Sequence, residues 1–304
     1  ARPFFGLSTA AEGTEFDVLN RPCNDPCLVY GSSPLAVVYK PSGWSCTGDT
    51  LASAANVADM PNEVARRRML EEMKSQKQPC IQNWIHLSMG YEADAVAVRD
   101  QESDHGLCHR LDVGTSGPMI VGRSLEGYEY GKRLLRERDC VKDYLALVHG
   151  SFSSPSGSCR APIDRSGYEA TRKVKVSENS GQAAVTLWEA IAEYETTGSV
   201  REPFTLVHCR LITGRTHQIR VHMAHMGHPI MSDPRYIESR EVLASDLNIC
   251  SRIFLHKFRV SFVDLEGLPV SVSCPLRMDG ALWGALRHLR LVGGMAARGC
   301  AAPG

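Results

Sequence analysis

Lys142-Asp143-Tyr144-Leu145-Ala146-Leu147-Val148-His149-Gly150 reads as a buried strand: a short apolar run, too brief for a helix, closed by a glycine. Working outward, the neighbouring stretches repeat that character. Met119-Ile120-Val121 lies before it, and residues 183–195 and 203–212 after it are rich in β-branched and apolar side chains. Residues 253–265 and 268–274 read as a final strand pair joined by Glu266-Gly267, and residues 171–176 alternate Thr-Arg-Lys-Val-Lys-Val. Leu35-Ala36-Val37-Val38-Tyr39 runs into the turn Lys40-Pro41-Ser42-Gly43. Helical patterns are fewer. Residues 61–78 suggest an exposed charged helix with Pro61 first, and residues 124–138 carry Leu125, Tyr128, Leu134 and Leu135 among charges. In 215–226, Ile219, Met223 and Met226 recur at helical spacing, with Thr213 or Thr216 as the candidate cap. Residues 92–106 read as an acidic loop. Many strands with few intervening helices predict an α+β fold, with a mostly antiparallel sheet and flanking helices. Strict strand–helix alternation, which a doubly wound fold needs, is missing.

A chain of 304 residues, 43% hydrophobic, buries a core without help from disulfides or metal. Lys+Arg and Asp+Glu number 34 each, so the formal net charge is +0. A nucleic-acid partner would therefore have to meet positive charge gathered on one face. The 11 cysteines fit neither a zinc ribbon nor a disulfide framework, and the expectation is reduced thiols in an intracellular, reducing compartment. No apolar run approaches the length of a membrane span, and no secretory signal is visible at the start, where Ala1 leaves targeting unread.

Three stretches carry chemistry. Cys108-His109-Arg110-Leu111-Asp112-Val113-Gly114-Thr115-Ser116-Gly117 sets one carboxylate beside an arginine, on a loop that feeds a strand. On spacing alone, a turn capped by Asp and Thr side chains is the commoner meaning of such a loop. Gly214-Arg215-Thr216-His217-Gln218-Ile219-Arg220-Val221-His222 puts two arginines on different helix faces. One faces solvent or phosphate while the other points inward and needs a carboxylate, for which Asp112 is a candidate. In the strand at 142–150, Tyr144 is either a pocket wall or an ordinary core tyrosine.

Taken together these stretches resemble the RluA-type family of pseudouridine synthases. The match comprises His-Arg-Leu-Asp…Thr-Ser-Gly at 109–117, Lys-x-Tyr-x-Ala-x-Val-x-Gly at 142–150, and Gly-Arg-Thr-His-Gln-Ile-Arg-Val-His at 214–222. It continues through Gly227-His228-Pro229-Ile230 to Asp233 and Tyr236, with Lys40-Pro41-x-Gly43 before and Leu255-His256 and Cys274-Pro275-Leu276 after. The resemblance implies a catalytic domain built on a long, mixed, mostly antiparallel sheet with a central RNA cleft. It implies isomerisation of uridine to pseudouridine in structured RNA, ribosomal or transfer, with no cofactor and no metal. By resemblance Asp112 is the catalytic carboxylate, Tyr144 lies against the target base, and Arg220 pairs with Asp112. Arg110 would enter the space of the flipped base, and His109, Thr115, Lys142, Arg215, His217 and Gln218 would contact RNA. The domain would run over 34–291 with an insertion at about 44–107, after an irregular lead-in (1–33) and before a disordered tail (292–304).

Departures are local. Pro118 lacks a backbone donor and needs a sheet edge or a strand start. Trp44-Ser45-Cys46-Thr47 replaces the family's apolar-His run, and RNA selection falls to the 44–107 insertion or to a protein partner. Two rivals stand beside the enzyme reading. One is a catalytically silent RNA-binding or ribosome-associated protein of the same fold. The other is a metal hydrolase using His217, His222, His225, His228 and Asp233, which lacks the glutamate of metalloprotease helices.

Overall fold

The computed structural model describes residues 22–32, 34–48, 63–171 and 173–294. Most of the lead-in, Pro61, Arg172 and the tail beyond Gly294 lie outside the described residues. The chain opens with β1 (Cys27–Gly31) and β2 (Leu35–Lys40), then α1 (Glu63–Lys74), α2 (Ile81–Met89) and the short α3 (Val96–Arg99). After β3 (Gly117–Gly122) and α4 (Leu125–Glu137) come β4 (Val141–His149), β5 (Ser156–Cys159), β6 (Ile163–Asp164), α5 (Tyr168–Thr171) and β7 (Lys175–Val176). The second half holds β8 (Thr186–Glu195), β9 (Pro203–Leu211), α6 (Gln218–His225), α7 (Arg240–Ile249), β10 (Leu255–Val263), β11 (Pro269–Ser273), α8 (Gly280–His288) and β12 (Arg290–Gly294).

β4 is the expected buried strand. It lies inside a seven-stranded sheet of order β11-β10-β4-β9-β8-β12, with β5 paired to β8. A separate three-stranded sheet has the order β1-β2-β3, and every ladder in both is antiparallel. The α+β reading holds, but the long sheet is divided. β3 and β10 meet through an isolated Ser116–His256 bridge and one bond from the Lys257 N–H to Ser116 O at 2.8 Å. Pro118 sits on β3, an edge strand, where its missing donor costs no ladder bond. Gly117 before it has φ +132, and a Cβ there would come within 2.0 Å of the Lys257 carbonyl oxygen. Glycine is what allows the two sheets to touch at this junction.

Local chemistry explains the starts of three helices. Ser124, Ser239 and Asp279 cap α4, α7 and α8 by accepting backbone N–H bonds. Helix α2 escaped the sequence reading because it is buried nearly all round, Gln82 and Asn83 included, so no one-sided pattern marks it. It packs Ile81, Ile85 and Leu87 against Ala36, Val38, Met119 and Val121 of the small sheet. Much of the insertion is thus a helical cover for that sheet. The acidic loop expected at 92–106 contains α3 and a 3₁₀ turn at Asp104–Gly106.

Four further expectations are corrected. Cys27–Gly31 is a strand rather than irregular lead-in, because it pairs with β2. Residues 292–294 belong to β12, whose pairing with β8 orders a Gly-rich stretch that reads as tail. The alternation at 171–176 yields strand only at Lys175–Val176. Neither Thr213 nor Thr216 caps α6: the Thr213 hydroxyl is taken by Gln218 Oε1 and the Val185 N–H, and His217 occupies the cap position. Among the described residues all ten cysteines are free thiols. No described helix is long and apolar enough to cross a membrane.

Candidate active site

The loop ahead of β3 emerges where the two sheets meet, and that is where Asp112 lies. Its backbone is gripped from several sides. Thr115 N–H donates to Asp112 O at 3.0 Å, and Gly43 N–H donates to Val113 O at 2.9 Å. Arg252 reaches Gly114 O at 2.6 Å and Ser116 Oγ at 2.7 Å, and is itself paired with Asp279. Ser116 Oγ lies 2.8 Å from His256 Nδ1, whose other nitrogen lies 2.7 Å from Cys274 O. The side chain of Asp112 keeps 30% of its surface exposed, so the carboxylate faces out of this frame.

Arg220, from α6, meets it. Its Nη1 donates to Asp112 Oδ2 at 2.9 Å, while Nε and Nη2 form a fork on Asp233 at 2.8 and 2.7 Å. Asp233 is fully buried. Burial opposes the Arg220 charge, but the two carboxylates outweigh it and hold the guanidinium firmly protonated. The expected Arg220–Asp112 contact is therefore present, and Asp233 is the stronger partner. The sequence reading gave Asp233 no role in the synthase motif and set it only among the histidines of the metal rival. The rule that an inward arginine needs a carboxylate would have found it, since one acid cannot fill a five-donor fork.

His217 stands in the left-handed region at φ 53, a conformation that histidine tolerates better than bulkier residues. Its Nε2 lies 3.7 Å from Asp112 Oδ2 and its Nδ1 lies 3.1 Å from the Tyr236 hydroxyl. Burial lowers its pKa to about 4, so the ring is neutral near pH 7. The Tyr236 ring lies 5.4 Å from the Arg220 guanidinium, and its hydroxyl bridges the backbone of Val174. Tyr144 projects from β4 and is buried. Burial raises its phenol well above the usual value, and the nearby Asp112 charge adds to that.

The other expected site residues divide by burial. Arg110 and Arg215 are exposed, Arg215 anchoring its Nε on Ala183 O at 3.2 Å. His109 is half-buried, and Thr115, Lys142 and Gln218 are buried. His109 Nε2 accepts the Ile120 N–H at 3.1 Å, and burial holds its ring neutral. Thr115 is buried. Gln218 spends its amide on Thr213, the Arg215 N–H, Val185 O and Thr186. Lys142 is buried, which lowers its pKa. The histidines of the metal reading point to separate partners: His222 lies against Thr186 and Ala161 O, and His228 against His149 O. Among the described residues no group of three or more His, Cys, Asp or Glu gathers around a common point.

Comparison with known proteins bears on this arrangement. The family model described as RNA pseudouridylate synthase matches residues 34–225. Ribosomal large subunit pseudouridine synthase D of Xanthomonas campestris pv. campestris is 37% identical over 195 residues, covering 60% of this chain and 55% of that protein. Synthase C of Escherichia coli strain K12 is 32% identical over 208 residues, covering 67% and 62%. The chain thus spans little more than half the length of these relatives. A solved structure, human RNA pseudouridylate synthase domain containing 1, shares the fold with a TM-score of 0.59 at 19% identity, over 92% of this chain and 98% of that one. The motif order, the sheet architecture and the matched domain agree: this chain belongs to the RluA-type family of RNA pseudouridylate synthases.

Proposed function

We infer that this protein isomerises uridine to pseudouridine in structured RNA, ribosomal or transfer, with Asp112 as the catalytic carboxylate. The observation that carries the reading is one partly exposed carboxylate held against a buried, doubly paired arginine, near a buried tyrosine, at the meeting of two sheets. The reaction breaks the C1′–N1 bond, turns the uracil and joins C5 to C1′; C5 gives up its proton and N1 gains one, so the product is an isomer of the substrate. Positive character develops at C1′, where an ionised carboxylate is worth most in a site closed to water. Asp112 Oδ2 faces Arg220 and His217, so Oδ1 is the oxygen that approaches C1′. Tyr144 walls the space for the detached base, and Arg220 fixes the carboxylate rather than touching RNA.

The base must leave its stack, at a cost of a few kcal/mol. Arg110, exposed on the same loop, would fill the vacated space, and Arg215, also exposed, would meet a phosphate. RNA selection by the 44–107 insertion or by a protein partner, and residence in an intracellular, reducing compartment, belong to the same proposal. The test is a map of pseudouridines in cellular RNA with and without this protein. At least one site disappears with the protein and returns with the wild-type chain but not with Asp112→Asn, which still binds RNA. An unchanged map under normal expression refutes the reading.

A further inference from the structure

Cys46 lies in the stretch that departs from the family pattern, and nothing in the mechanism above uses it. It is buried, and its thiol makes a reciprocal pair with one residue: Sγ–H donates to Leu111 O at 3.1 Å, and the Leu111 N–H donates to Sγ at 3.2 Å. Leu111 is the residue directly before Asp112. On the other side of Asp112, Gly43 N–H and Lys40 Nζ donate to Val113 O at 2.9 and 3.4 Å, and Ser42 Oγ donates to Gly114 O at 3.2 Å. Residues 40–46 therefore grip the loop both before and after the carboxylate, with the thiol holding the upstream peptides. The thiol's own base is fixed. Ser45 exchanges bonds with the Pro79–Ile81 backbone, Cys80 Sγ donates to Cys46 O at 3.5 Å, and Lys40 Nζ donates to Trp44 O at 2.9 Å.

We propose that Cys46 is a positioning residue for the reaction: it fixes the peptide groups of Leu111 so that the Asp112 carboxylate sits in register with C1′. The proposal rests on the reading of Asp112 as the catalytic group. Without the thiol, the half-buried N–H and C=O of Leu111 have to find other partners, and the peptide that turns to do so carries Asp112 with it. A displacement near 1 Å in a reacting group costs on the order of a hundredfold in rate. Arg215 lies outside this grip, and Arg110, whose carbonyl shares the gripped peptide, reaches RNA on a long exposed side chain that absorbs a small backbone shift, so binding is spared. A serine hydroxyl donates and accepts as a thiol does, with a shorter reach, and recovers most of the alignment.

The experiment compares wild type, Cys46→Val, Cys46→Ala and Cys46→Ser on an RNA that the wild-type protein modifies. The single-turnover rate at saturating protein and the RNA Kd are measured separately, well below each melting temperature. The expected result for Val is a rate loss of fivefold or more with Kd within twofold, and for Ser a recovery to within threefold of wild type. Should Val not fold, Ala answers the same question. A loss below fivefold, a loss matched in Kd, or no recovery by Ser overturns the proposal while the function stands. A wild-type protein that modifies no RNA overturns the function, and this inference with it.

Discussion

Arg220→Ala tests the centre of the site through stability as well as rate. The side chain is 7% exposed and places two hydrogen bonds on Asp233, which has no exposure at all, and a third on Asp112. Removing it leaves the Asp233 carboxylate with the Arg235 N–H, at 3.0 Å, as its remaining close donor in that fork. Breaking a buried ion pair from one side costs about 3–5 kcal/mol, because the surviving charge stays desolvated. With a urea m-value of about 3 kcal/mol/M, the midpoint falls by roughly 1–1.7 M at unchanged m. Activity is lost as well, since Asp112 loses its counter-charge. Arg220→Met with Asp233→Leu separates the two effects. Both charges leave together, so at least half of the lost stability returns while activity stays lost. Chemical denaturation followed by fluorescence, beside a pseudouridine assay, reads both. A single variant whose midpoint stays within about 0.3 M of wild type would show that Asp233 is not desolvated as the geometry requires.

Three further outcomes follow from the same frame. His256 is fully buried, and burial lowers its pKa from the usual 6.5 to about 4. Between those values the unfolded chain binds a proton that the folded chain refuses, so stability rises with pH across that window, by up to about 1.4 kcal/mol per pH unit. His256→Gln flattens that slope in urea titrations at pH 5 and 6.5, and equal slopes for variant and parent would refute it. Gly117→Ala drives a Cβ into the Lys257 carbonyl, whereas Gly43→Ala at φ +87 meets nothing within 4 Å. Melting is expected to show a loss of about 2 kcal/mol or more for Gly117, against about 1 kcal/mol for Gly43, and equal losses would contradict the close contact at the sheet junction. Asp112→Asn keeps the size of the side chain but removes the charge facing C1′: modification stops while RNA affinity stays within a few-fold, and a loss of affinity without loss of modification would favour a binding protein.

The sequence by itself determined the strands that run apolar, the family, and the meeting of Asp112 with Arg220, because these are written in apolar runs and in motifs of fixed spacing. β4 was legible because a five-residue apolar run has few other uses. The buried α2 was not, since a helix covered on all sides shows no amphipathic stripe. Strand pairing was equally hidden at both ends of the chain. Cys27–Gly31 and Arg290–Gly294 are ordered by partners far away in sequence rather than by their own composition. The tertiary structure alone decided that Asp233 takes the larger share of Arg220, that Gln218, Thr115 and Lys142 are buried, and that Cys46 lies against Leu111. The reason is common to all of them. Motifs record which groups are present, while burial and hydrogen-bond assignment depend on which segments the two sheets bring together at their junction.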